Sequence, residues 1–143
     1  MKKIHFFLSL IIATSFILSC DKNDDDIDEQ LVGTWNVTKV EGQQFNNGSP
    51  GIKLQDDNPT GYIEFESNGR GEQNYSFTLF GTSYPQNSTF RWTASSSTIN
   101  VKRFNDTDLV WERIVSQPDK QVASYDIENN PNSYIKYTLT LEK

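Results

Sequence analysis

Cysteine and histidine are the side chains that most often act as nucleophile, base or metal ligand, and this 143-residue chain has one of each, Cys20 and His5. Both lie in the first twenty residues. If that segment is removed on export, the rest cannot build a Ser-His-Asp or Cys-His arrangement. It also lacks the usual nitrogen and sulfur ligands of zinc. Carboxylates remain. Glu64 and Glu66 stand two apart, which puts both on one face of a strand, and Asp56-Asp57 are adjacent. Such pairs can work on a glycosidic bond. However, Ile63 and Phe65 alternate with Glu64 and Glu66, so the acids take the wet face, where acids normally sit. Asp56-Asp57 fall in a polar stretch and read as solubility. No Asp-x-Asp-x-Asp-Gly calcium loop and no Gly-rich phosphate loop is present. The residues therefore imply no enzyme, no metal and no cofactor.

Cys20 has a different chemistry. Met1-Lys2-Lys3 give a positive start and residues 6–18 form an apolar run. That run is shorter than the roughly 20 residues a membrane-crossing helix needs, and it has the length of a signal-peptide core. An ordinary signal would leave Cys20 as an odd thiol in an exported protein. Ile17-Leu18-Ser19-Cys20 resembles the bacterial lipobox, in which the cysteine is acylated and becomes the first mature residue. The resemblance implies a signal over 1–19 and a lipid attached at Cys20, enough for stable membrane anchoring.

Residues 21–30 contain six acids and few apolar side chains, a composition that stays solvated as a tether. Asp24-Asp25-Asp26 resembles the acidic run that routes some Gram-negative lipoproteins to the outer face of the outer membrane. Asp21, directly after the cysteine, instead resembles an inner-membrane retention mark, so the periplasmic face of the inner membrane is the alternative. The full chain carries 13 basic and 19 acidic residues, and residues 31–143 carry 10 and 13, a net of −3. A domain with that balance offers no basic face for nucleic acid. Its 113 residues suit one domain.

The elements that would position any site are strands. Period-two alternation covers residues 32–40, 62–66, 74–80, 89–93, 98–102, 109–115, 121–127 and 133–142, and no mature segment has a helical period. The pattern predicts an all-antiparallel sheet with one dry face. Polar turns such as Ser67-Asn68-Gly69 and Gln117-Pro118-Asp119 connect neighbours. Eight strands in a meander can close into a barrel. An immunoglobulin-like sandwich needs crossovers, and only residues 41–59 are long enough to be one. That segment reads as a long loop, and with residues 81–87 it places adaptable loops at one end and tight turns at the other.

Leu31-Val32-Gly33-Thr34-Trp35 resembles the Gly-x-Trp signature of lipocalins, and Ile63-Glu64-Phe65, Phe90-Arg91-Trp92 and Tyr137-Thr138-Leu139-Thr140-Leu141 are similar to small lipocalin-like lipoproteins. The resemblance spans residues 31–143 and implies an up-and-down eight-stranded barrel. The chain departs from full-length lipocalins in having no disulfide, no C-terminal helix and no Thr-Asp-Tyr signature. In the family the tryptophan plugs the barrel floor and an arginine near the last strand crosses it. No arginine stands there, and Arg113 is the substitute if Leu109, Trp111 and Val115 face inward. It would then need the Trp35 ring, a carboxylate or an anionic ligand as partner. The opposite register buries Val110, Glu112 and Ile114, and the pattern leaves both open.

Two functions follow from this reading. One is a lipid-anchored module that binds a small apolar or amphipathic molecule in the barrel. The other is a non-catalytic surface lipoprotein with a filled core, which holds a glycan or an envelope protein through its loops. In the first, a ligand enters at the 41–59 end and meets Phe77, Leu79, Phe90, Trp111, Tyr125 and Tyr137. In the second, Phe45 and Tyr84 are exposed loop contacts.

Overall fold

The computed structural model describes residues 27–104 and 106–143. The expectations for Cys20, for the signal and for residues 21–26 of the tether lie outside them. The chain forms β1 (Gly33–Asn46), β2 (Ser49–Asp56), β3 (Thr60–Phe65), β4 (Arg70–Leu79), β5 (Thr82–Ala94), β6 (Thr98–Arg103), β7 (Leu109–Ser116), β8 (Lys120–Asn130) and β9 (Ser133–Glu142). All pairings are antiparallel, and β1 pairs with β9 to close the sheet on itself. β2 and β3 lie along the same edge of β1, opposite Val40–Asn46 and Gly33–Asn36 respectively. Together they fill one place, so nine strands make an eight-stranded barrel. No connection crosses over, which excludes the sandwich.

The 41–59 loop does not exist as expected. Asn47 and Gly48 take φ of 50° and 74°, the left-handed pair of a two-residue hairpin turn. The segment is therefore the end of β1, a tight turn and β2. Phe80 and Gly81 repeat the device with φ of 53° and 74°, so residues 82–87 belong to β5 rather than to a loop. Both ends of the barrel carry short turns, and a lid at residues 41–59 is ruled out. Phe45 and Tyr84 are strand residues. The Phe45 ring stacks on Tyr134 at 4.7 Å and the Tyr84 ring on Phe77 at 5.2 Å.

Alternation sets the interior. β4 turns Gly71, Gln73, Tyr75, Phe77 and Leu79 inward and Arg70, Glu72, Asn74 and Ser76 outward. In β7 Leu109 and Trp111 are buried while Val110 and Ile114 are 56% and 60% exposed, so the register with Arg113 inward is the one formed. Gly71 has a packing role, because the Phe90 ring lies where a Cβ would stand.

Candidate functional site

The end of the barrel where β1 starts and β9 finishes is solid. Leu31, Trp35, Ile63, Phe65, Ile99, Leu139 and Leu141 are fully buried there. Trp35 Nε1 donates to the Leu31 carbonyl at 2.7 Å. The cation over its ring is Lys143, with Nζ 4.5 Å from the centroid, so Arg113 does not take that place. Arg113 reaches a carboxylate instead: its Nη1 lies 2.5 Å from Asp28 Oδ2 and donates to the Ser95 carbonyl at 2.8 Å. Nη2 donates to Ser116 Oγ and to Gln121 Oε1. Asp28 was expected in a solvated tether. Its carbonyl accepts from Leu31 N at 2.9 Å, and residues 27–31 form a strap across the floor.

Above the floor the expected ligand residues meet one another. Trp111 stacks on Tyr125 (5.4 Å), Tyr125 on Tyr137 (5.6 Å), Tyr137 packs edge-on against Phe77 (5.7 Å), and Phe77 stacks on Tyr84 (5.2 Å). These rings fill the middle of the lumen. Phe90 sits lower, edge-on to Phe65 at 5.6 Å, and is not a mouth residue. Leu79 lies at the tip of β4, beside Gly42.

Polar atoms punctuate the stack. The Tyr75 and Tyr125 hydroxyls are 3.5 Å apart, and each has a single hydrogen, so at most one can serve the contact between them. Burial pushes the Tyr75 hydroxyl well above its ordinary pKa and raises that of Tyr125, while the Arg103 guanidinium pulls both back. Burial also lifts Tyr137, to about 12. Arg103 itself is held by Asp106 at 2.6 Å and donates to the Thr107 carbonyl at 2.8 Å. Trp111 Nε1 is buried without a hydrogen-bond partner. The spare hydrogens make the interior a place for hydrogen-bond acceptors.

At the other end the wall is uneven. Among the described residues, β5 pairs with β6 only over Phe90–Ala94, and β7 with β8 only over Glu112–Ser116. The upper parts of β5 and β8 therefore stand apart, with the short β6 and β7 between them. A crevice of about 190 Å³ opens where β7 and β8 separate, lined by Leu109, Glu112, Ser124 and Tyr125 among others. The rim is apolar. Phe80, Tyr84, Ile127 and Ile135 are partly buried against the core. Leu54 is the register partner of the inward Gly42, so it and Ile52, two residues away, face inward too. They are 39% and 59% exposed.

Sequence reasoning missed Ile52, Leu54, Ile127 and Ile135 as rim residues, Asp28 and Lys143 as floor residues, and the donor at Trp111 Nε1. Asn47-Gly48 between apolar strands was the signal for the first two. Glu64 and Glu66, the carboxylates two apart, are half-buried and exposed on the outer face, as alternation required. Among the described residues no group of three or more His, Cys, Asp or Glu could hold a metal ion.

Residues 31–122 match the family model described as lipocalin-like domain. No curated protein matches the chain by sequence. Solved structures similar to it include a deswapped triple mutant of bovine odorant binding protein (12% identity, 80% of this chain and 74% of that one, TM-score 0.47). A dog lipocalin allergen (12%, 79% and 73%, 0.46) and lobster apocrustacyanin A1 (9%, 80% and 61%, 0.43) are also similar.

Proposed function

This chain belongs to the lipocalin-like domain family, and from that premise we propose that it is a membrane-anchored, non-catalytic module that binds a small apolar or amphipathic molecule at the open end of its barrel. The supporting observation is the apolar rim, where Ile52 and Leu54 face inward yet stay exposed and Ile127 and Ile135 are only partly buried, above a packed floor. Uncovered apolar surface lining a concavity is where a ligand gains most from leaving water. A ligand's acceptor end would meet the spare hydrogens of Trp111 and the tyrosine pair if Tyr125 or Tyr137 turned aside. On this reading Cys20 carries the lipid, which holds the barrel at the outer membrane. The filled ring stack supports a second reading, a surface lipoprotein with a solid core that binds a macromolecular partner.

Titration with a long-chain fatty acid, read by tryptophan fluorescence, tests the binder. Saturable quenching that Ile52→Ser/Leu54→Ser weakens is expected. An unchanged spectrum at all concentrations would refute it and leave the second reading. The anchor is tested separately: Cys20→Ala should move the protein from the membrane fraction to the soluble fraction, and unchanged partition would refute lipidation.

A further inference from the structure

Six of the ten Lys and Arg among the described residues are in ion pairs: Lys39, Lys53, Arg103, Arg113, Lys120 and Lys136. A seventh, Lys143, stands over Trp35. The other three form a row. Arg70 is the register partner of Arg91, and Arg91 of Lys102, so the three sit side by side across β4, β5 and β6. All are exposed on the outer wall. Strands lie about 4.8 Å apart, so the row steps by that distance. Like charges placed directly opposite destabilise a sheet. The domain is net acidic, so scarcity of acids does not explain the row. Three acids, Glu66, Glu72 and Asp108, share grooves with the row, and two of them bind neutral donors: Glu66 accepts from Asn68 Nδ2 at 2.8 Å and Glu72 from the Tyr62 hydroxyl at 3.0 Å.

Two grooves flank the row. One of about 600 Å³ has Arg91 and Lys102 with Thr93, Val110 and the carboxylate of Asp108, and the other, about 300 Å³, has Arg70 and Arg91 with Phe104 and the carboxylates of Glu66 and Glu72. Phe104 is 61% exposed, an apolar ring beside the cations. We propose that this outer wall binds an anionic glycan, its acid groups paired to Arg70, Arg91 and Lys102 and one sugar ring packed on Phe104. Double-stranded DNA carries a charge about every 1.7 Å of its axis, both strands counted, a density that three cations on a net-acidic domain do not match. The site is independent of the mouth.

The test uses the full chain with polygalacturonate and with its fully methyl-esterified form, which has the same sugar backbone with each carboxylate replaced by a neutral methyl ester. Saturable, salt-weakened binding of the acid and none of the ester is expected. Arg70→Gln/Arg91→Gln/Lys102→Gln should weaken it about tenfold, the effect of three exposed charge contacts. Phe104→Ala should weaken it less, and Lys120→Gln, whose partner is Glu142, should leave it unchanged. The triple variant should melt no lower than the parent, because it removes like-charge neighbours. Absence of binding by the parent, or equal binding by the triple variant, would overturn the proposal. So would binding that requires Asp24, Asp25 and Asp26 to be changed to Asn, since the row would then serve the chain's own acidic segment.

Discussion

The two ends of this barrel use similar residues to opposite effect. At the floor Leu31, Trp35, Ile63, Phe65 and Leu141 are fully buried, and the cations Lys143 and Arg113 are tied down, over Trp35 and to Asp28. At the mouth Ile52 and Leu54 face inward and remain exposed, and Ile127 and Ile135 are only partly buried. Each covered apolar group at the floor adds stability, whereas each uncovered one at the rim is available to a ligand. On the proposed reading, stability and binding are separated along one axis. Changes at the floor should unfold the protein, and changes at the rim should alter binding and leave the fold in place.

The largest effect is expected at Trp35. Trp35→Ala should cost ~3–5 kcal/mol in urea unfolding, a large share of a small domain's stability. A loss below ~1 kcal/mol would remove the contrast between the ends.

The strap comes next. Asp28→Asn leaves the Arg113 guanidinium, only 3% exposed, without its counter-charge. The cost should be about 3 kcal/mol, at the low end for a broken buried pair because Asp28 is itself a quarter exposed. Arg113→Met with Asp28→Ala should recover most of it. If the double variant loses the sum of the two single losses, the pair is not coupled.

The middle of the lumen should respond to alkali. Tyr75, Tyr125 and Tyr137 have folded pKa values above the ordinary 10.0, Tyr137 at about 12. The folded state therefore holds more protons than the unfolded state between pH 10 and 12. The stability these groups contribute is complete below pH 10 and is lost as pH rises toward 12. Unfolding free energy should fall across that window, and phenolate absorbance of the buried tyrosines should appear together with unfolding. Free titration of all six tyrosines near pH 10 would show the stack open to water.

The smallest stability effect belongs to the rim. Ile52→Ser/Leu54→Ser should shift unfolding by no more than ~0.5 kcal/mol, as exposed substitutions do, while weakening an apolar ligand about tenfold. Equal losses at rim and floor would abolish the separation.

Much of this was legible in the sequence. Residues 74–79 and 135–142 alternate, and both lie in strands with the predicted face inward, while Phe80, the last residue of the predicted 74–80 strand, belongs to the turn. β2 was only faintly legible: Asn47-Gly48 marks a hairpin turn and Ile52 and Leu54 alternate with Lys53 and Gln55, but two apolar residues among Ser, Pro and Gly do not distinguish a strand from a loop. The start of β5 was hidden by Gln86 and Ser88, polar residues that point inward and break the alternation. Arg113 could be placed only by its partner, 85 residues away. The row of Arg70, Arg91 and Lys102 depends on cross-strand register, which no single strand's pattern contains.

The central claim is that ligand binds at the rim and not at the floor. Amide chemical shifts of the full chain, followed during titration with a long-chain fatty acid, test it most directly. The account predicts saturable shifts at Ile52, Leu54, Tyr84, Ile127 and Ile135, with Leu31, Trp35 and Leu141 unmoved. Shifts centred on the floor, or no saturable shift anywhere, would contradict it.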